Sequence, residues 1–432
     1  MLLFFLYAVG VMSKSFVLLF LLLPLLSSCA YLRIDPMNVL VRSDVIDSAA
    51  DEKRILAKAR LDRTEDGRVR VIYVAGSPYE RGYQQGVLLR QEIKDNIGYI
   101  HDQAIKKFHF EELFDEAFTR MVPYIPVEHI EEMRGLAHGA RMPLKVILRM
   151  HILADIGEWG GKKKIKDVIK QQMKGIDLGT SCSNLGAQEG ATVDGKLYAV
   201  RILDWGLHRI SRLHEYALIT VGIPDQGVPY ANIGWAGYLG SVSGMNAKGI
   251  TIGEMGYGDP PGETLQGTPM PFMLRDVMTY AKDLSDVRRI LRDTVGTNSY
   301  AFLMTDGKTG EGELYVKDRN RFLAFPPNTD VRDHKEHLPA IQNIVYGGHY
   351  NELMTDLLSK YRGEISPQLL MNTIIPQIIM KSNFQNVIYS PTDLQFWVSN
   401  AQNKDSLAAD APYSFFDFKK ALDDYRRFLL NH

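Results

Sequence analysis

Cysteine is almost missing from this chain: Cys29 and Cys182 are the only two among 432 residues. So few thiols exclude a disulfide-stapled scaffold. No charge sign dominates either, with 50 Lys and Arg against 51 Asp and Glu. That balance argues against a nucleic-acid partner, which calls for a basic patch. The one basic run, Lys162-Lys163-Lys164-Ile165-Lys166, reads as a solvated loop. Metal spacing is lacking. The two cysteines and 11 histidines form no zinc pattern, and His334 and His337 sit outside a His-Glu-x-x-His frame. Nor is there a phosphate loop: the glycine-rich stretch 253–262 has no Lys-Ser/Thr ending and reads as a loop near a pocket mouth. Gly240-Ser241-Val242-Ser243-Gly244 has Val242 where a nucleophile elbow needs serine. No cofactor and no metal are implied, and no internal repeat is present.

Long apolar runs are confined to the N-terminus. Residues 1–29 read as a lipoprotein signal peptide, with Met12-Ser13-Lys14-Ser15 before the apolar residues 16–26 and translation expected to begin at Met12. The run falls short of the about 20 residues of a membrane span. It ends Leu26-Ser27-Ser28-Cys29, which resembles a bacterial lipobox, so Cys29 is expected to carry a lipid anchor in the cell envelope, at the outer membrane in a Gram-negative host. The mature chain then keeps Cys182 as its sole thiol. A leftover cysteine in an exported protein raises the question of reactivity.

The rest divides into a tether over 30–65 with one helix near 51–61, a mostly helical segment over 66–181, and a strand-rich part over 182–432. Ile93, Ile97, Ile100 and Ala104 recur on one helical face, and further helices are expected at 127–138 and 144–156. After Cys182, strands are expected at 196–203, 215–222, 230–236, 249–255, 300–305, 312–317, 386–390 and 394–400, with turn signals such as Asp194-Gly195 and Asp306-Gly307 between them. Leu274, Val277, Met278 and Ala281 mark one intervening helix, and Met354, Leu357, Leu358 and Tyr361 another. Ser366-Pro367 opens a third as N-cap and first helical residue. Strands in runs with paired helices between them fit layered sheets flanked by helices.

Cys182 stands in Gly179-Thr180-Ser181-Cys182-Ser183-Asn184, and Arg201-Ile202-Leu203-Asp204-Trp205 follows. A cut between Ser181 and Cys182 would give Cys182 a free α-amine, whose unperturbed pKa of about 7.7–8.0 lets it take the thiol proton without a histidine. The segment resembles the nucleophile region of the N-terminal-nucleophile hydrolases, in particular the peptidase family of the acyl-CoA:6-aminopenicillanic acid acyltransferases. Bile-salt and penicillin V hydrolases and acid amidases are more distant relatives. Gly76-Ser77-Pro78-Tyr79-Glu80-Arg81-Gly82-Tyr83-Gln84-Gln85-Gly86 resembles that family's opening motif, Ser243–Ile250 its central hairpin and Lys381–Tyr389 its C-terminal strand pair.

The resemblance implies a four-layer αββα sandwich of α/β class, self-cleavage at Ser181–Cys182, and amide cleavage of a small-molecule substrate through an acyl-thioester on Cys182. The two fragments would stay together as a heterodimer. It gives Asp204 the role of orienting the new amine and Arg201 that of supporting the nucleophile. Three residues apart in a strand, the two point to opposite sides unless the strand ends, twists or bulges. The oxyanion donor is open. Tyr346-Gly347-Gly348-His349-Tyr350 lacks the asparagine expected there, leaving Asn328, Asn383 and Asn386 as fallback donors and His349 as a substrate contact. Asn246 reads first as a hairpin residue tolerating positive φ. Glu254 stands where bile-salt hydrolases carry an asparagine, and a carboxylate there would repel an oxyanion. Alternatives are an acyltransferase, an ester or lysophospholipid hydrolase on the same fold, and a non-catalytic binding lipoprotein.

Overall fold

The strand-rich second half folds much as its alternation and turn signals predict. The computed structural model describes residues 46, 48–106, 109–161, 182–209, 211–257, 264–332 and 337–431. The leader with Cys29, the connector through Ser181, and His334 lie outside the described residues. Among the described residues, nine strands form one sheet in the order β1 (Arg60–Arg63), β2 (Arg70–Gly76), β5 (Ala217–Pro224), β6 (Tyr230–Trp235), β7 (Gly244–Asn246), β8 (Ile250–Gly256), β9 (Tyr300–Asp306), β10 (Glu311–Lys317) and β11 (Phe322–Phe325). Six form the other: β12 (Ile344–Gly347), β3 (Ser183–Glu189), β4 (Gly195–Asp204), β13 (Asn383–Ser390), β14 (Gln395–Asn400) and β15 (Ser414–Asp417). Only β2 and β5 pair in parallel; the other pairs are antiparallel.

The sheets face each other across a core in which Val71, Ile219 and Ile233 of the first meet Val387, Phe396 and Val398 of the second. Alternate inward residues on both sheets supply this core, as burial of one face requires. Helix α10 (Phe418–Leu430) adds Phe418, Leu422 and Tyr425 to it. Tyr425 also donates to Lys58 O at 2.6 Å. Helices α7 (Met270–Tyr280) and α8 (Leu284–Asp293) lie against the first sheet, and α9 (Asn351–Lys360) against β12. This is the expected αββα sandwich.

The N-terminal segment builds α1 (Ala49–Ala57), α2 (Pro78–Leu88), a helical stretch over 90–106 with two π-type turns, α3 (Glu111–Met121), α4 (Val127–Ala140), α5 (Leu144–His151) and α6 (Leu153–Gly161). The expected tether over 30–65 is structured at its end: α1 carries buried Ile55, and β1 pairs with β2. The helix expected over 144–156 breaks at Ile152, where the His151 ring bonds back to Ile147 O at 2.8 Å. The opening motif is a helix start. Ser77 caps α2 by accepting from Glu80 N, and Glu80 returns a carboxylate to Ser77 N at 3.1 Å, a reciprocal capping box. Its glycines allow a close helix crossing. A Cβ on Gly82 would fall 1.9 Å from Glu132 O, and one on Gly135 2.0 Å from Tyr79 O.

Candidate active site

An antiparallel hairpin brings the candidate triad together. β3 and β4 pair Ser183 with Ile202 and Asn184 with Arg201, joined through the Asp194-Gly195 turn. Cys182, the residue before β3, therefore stands at the Asp204 end of β4. β4 runs unbroken through Arg201 and neither ends nor bulges between it and Asp204, contrary to the expectation. β4 ends at Asp204, and β13 beside it carries a bulge between Asn383, opposite Asp204, and Gln385, opposite Leu203.

Arg201 is fully buried, and each of its three nitrogens donates. Nε donates to Val242 O at 3.2 Å, Nη1 to Ile202 O at 2.9 Å and Nη2 to Glu254 Oε2 at 3.1 Å. The Arg201 guanidinium lies close enough to the Cys182 thiol for its positive charge to favour the thiolate. Burial pushes this thiol up to about 12, Arg201 pulls it down, and Glu254 and Asp204 push it further up. In the intact chain, then, Cys182 is a protonated and weak nucleophile. Burial likewise pushes the Asp204 carboxyl up to about 7, against hydrogen bonds from Asn383 Nδ2 at 2.9 Å and Met380 N at 3.1 Å.

Glu254, on β8, reaches across from the first sheet to Arg201 on the second. Both side chains are almost wholly enclosed. Cutting such a pair leaves one buried charge uncompensated. Glu254→Gln is therefore expected to lower melting stability by about 3–5 kcal/mol. It should also lower the Cys182 pKa, since one carboxylate pushing it up is gone. The check is the pH dependence of alkylation of Cys182 by iodoacetamide, located by peptide mass.

The other expected residues divide. Asn383 Nδ2 donates to Asp204 Oδ1 at 2.9 Å, with the Asn386 amide beside it, so its place is to hold the carboxylate. Asn246 lies in the β7–β8 hairpin, donating to Met278 O and Ala281 O and accepting from Lys248 N and Ile250 N, with no capacity left. The positive φ expected of it belongs to Gly249, at 81°. Asn328 is an exposed turn residue with φ 63° that accepts from Asn343 N, away from the thiol's strand end. His349 is exposed, and its backbone N lies 3.4 Å from Ser183 Oγ, beside the start of β3. The stretch 253–262 is not all loop: its first residues complete β8, and 258–263 lie outside the described residues.

Sequence reasoning missed Asn184, whose amide donates to Glu254 O at 3.0 Å, and the buried stretch 236–243 that presents Val242 O to Arg201. The glycines at 237 and 240 were its only local signal. It also missed His151, which is enclosed, stacked between Tyr238 and Phe272, and accepts from Leu239 N at 2.8 Å. Burial holds its imidazole down to about 4, against the Ile147 carbonyl and Glu132, which favour the charged form, and with His129, which opposes it. The folded chain keeps the neutral form, so unfolding takes up a proton here between about pH 6.5 and 4. The site's contribution is complete above about pH 6.5 and is lost as pH falls toward 4. His151→Gln is expected to flatten this part of the stability–pH curve, read by denaturant melts at pH 7.5, 5.5 and 4.5. Among the described residues, no cluster of His, Cys, Asp and Glu could hold a metal, and no helix is long and apolar enough to cross a membrane.

No family model matches the chain. In sequence it is similar to Protein dcd1A of Dictyostelium discoideum, 23% identical over 350 residues, or 71% of this chain and 73% of that one. Protein dcd1B of the same organism is 22% identical over 359 residues, 74% of this chain and 66% of its own. An uncharacterized protein of Archaeoglobus fulgidus is 26% identical over 267 residues, 56% of this chain and 42% of its own. Among solved structures, a Caenorhabditis elegans ortholog of N-acylethanolamine-hydrolyzing acid amidase gives a TM-score of 0.37 at 12% identity, covering 49% of this chain and 93% of that one. Penicillin V acylase from Agrobacterium tumefaciens gives 0.34 at 10% identity, covering 55% and 87%. Scores this low carry no argument, and the site stands on its own geometry.

Proposed function

We propose that this chain is a self-processing cysteine hydrolase of the N-terminal-nucleophile kind that cleaves a linear amide. The observation that carries the reading is the placement of Cys182, at the start of β3, at the end of β4 that carries buried Arg201 and Asp204, whose carboxylate is held by Asn383 and Met380 N. Self-cleavage begins with the Cys182 thiol attacking the Ser181 carbonyl. The peptide nitrogen leaves as the α-amine, and water resolves the resulting thioester. In the cut enzyme that amine takes the thiol proton, and the thiolate attacks the substrate carbonyl. The protonated α-amine gives its proton to the departing amine. Water then hydrolyses the acyl-thioester.

Asp204 supplies the counter-charge for the α-ammonium. That new cation should draw the carboxyl below its value of about 7 in the intact chain. Glu254 does not tell against catalysis, because Arg201 meets its charge before any oxyanion forms. Export and lipid attachment at Cys29 belong to the proposal and rest on the sequence alone.

The test is turnover of a panel of N-acyl amides and matched esters by the wild-type chain, followed as free amine or alcohol. Amide hydrolysis that iodoacetamide abolishes supports the reading. A chain cut at Ser181–Cys182 that turns over esters and no amide sinks it in favour of an esterase.

A further inference from the structure

We propose that the buried loop 236–243 positions the nucleophile, and that Gln85, Asn96 and His151 of the N-terminal helical segment are its positioning residues. The proposal rests on the amidase reading above for its kinetic consequences. A buried loop must find partners for backbone groups that no sheet satisfies. Here three come from one segment. Asn96 Nδ2 donates to Ala236 O at 2.8 Å, Gln85 Oε1 accepts from Gly237 N at 3.0 Å, and His151 Nε2 accepts from Leu239 N at 2.8 Å. All three side chains are almost fully enclosed. From the other side of the proposed cut, Arg275 Nη1 donates to Leu239 O at 2.9 Å and Ser241 N to Pro271 O at 2.9 Å. The loop then presents Val242 O to Arg201 Nε, and Arg201 sits opposite Asn184 on the hairpin whose first strand Cys182 precedes, with its charge near the thiol.

This contact series gives the N-terminal segment work to do after self-cleavage. If it left, the loop would lose three partners, and Arg201 would lose the fixed carbonyl that orients it. The segment is thus a retained part of the active enzyme, and its hold on the loop sets the geometry of the thiol.

The test uses His151→Phe, which keeps the ring stack on Tyr238 and removes the acceptor, with Gln85→Met as a second, independent cut in the same grip. His151→Gln restores an acceptor and serves as rescue. For each full-length variant, kcat and KM for the amide, and the alkylation rate of Cys182, are measured at a temperature where the chain is folded. The expected result is a fall in kcat of tenfold or more with KM within twofold, a matching change in alkylation rate, and recovery in His151→Gln. Lower melting temperatures with wild-type kcat and alkylation rate in both His151→Phe and Gln85→Met would overturn the proposal. Should the wild type itself hydrolyse no amide, the amidase reading fails. The alkylation rates alone then decide the loop's role: unchanged rates in the variants overturn it, and altered rates uphold it.

Discussion

Cys182→Ala should yield a single uncut chain with amide hydrolysis reduced by at least about four orders of magnitude, the scale on which loss of a covalent nucleophile acts. Two effects combine. Without the thiol the Ser181 carbonyl is not attacked, so no free α-amine appears, and any amide that binds meets no nucleophile. Folding should survive, because the thiol is small and Arg201 retains Val242 O, Ile202 O and Glu254. Cys182→Ser separates the two effects. A hydroxyl is a weaker nucleophile than a thiolate, so slow cutting with little turnover is expected. Mass and activity measured on the same samples check both variants.

The second large effect is on stability. α2 and α4 cross so closely that the added methyl in Gly82→Ala would fall 1.9 Å from Glu132 O, and that in Gly135→Ala 2.0 Å from Tyr79 O. These are backbone atoms on both sides and cannot turn away, so the helices must separate. Either substitution is expected to cost about 3–5 kcal/mol, at the upper end of single-site effects. The separation would also pull on Glu132, which lies between Arg81 at 2.9 Å and Arg275 at 3.0 Å. Gly157→Ala is the control. It lies in α6 with nothing within 4 Å of the added Cβ, so a gain of about 0.5–1 kcal/mol is expected there. Denaturant melts of the three variants provide the comparison.

The nearness of Cys182, Arg201 and Asp204 in the candidate site was legible because it is local. One hairpin carries Cys182, Arg201 and Asp204, and a turn signal at Asp194-Gly195 sets its register. Strands such as β9 and β10 were legible for the same reason, since alternation and Asp306-Gly307 mark them. What was not legible depends on distant chain. β1, β12 and β15 have four residues each, too few for a period, and exist because a neighbour offers an edge. Asn383 reads from the sequence only as a fallback oxyanion donor, because an asparagine's duty depends on its partners, and Asp204 is 179 positions away. Gln85 reads only as one residue of the opening motif, and His151 as an ordinary residue of the helix expected over 144–156. Their acceptors matter only because a buried loop, far along the chain, needs them.

The account turns on whether Cys182 becomes an N-terminus, and the direct measurement is the intact mass of the purified wild-type chain under denaturing conditions, before and after incubation at acid pH. Two fragments are expected, the second beginning at Cys182, with Cys182→Ala remaining one mass. A wild-type chain that stays whole under both conditions and still hydrolyses amides would contradict it.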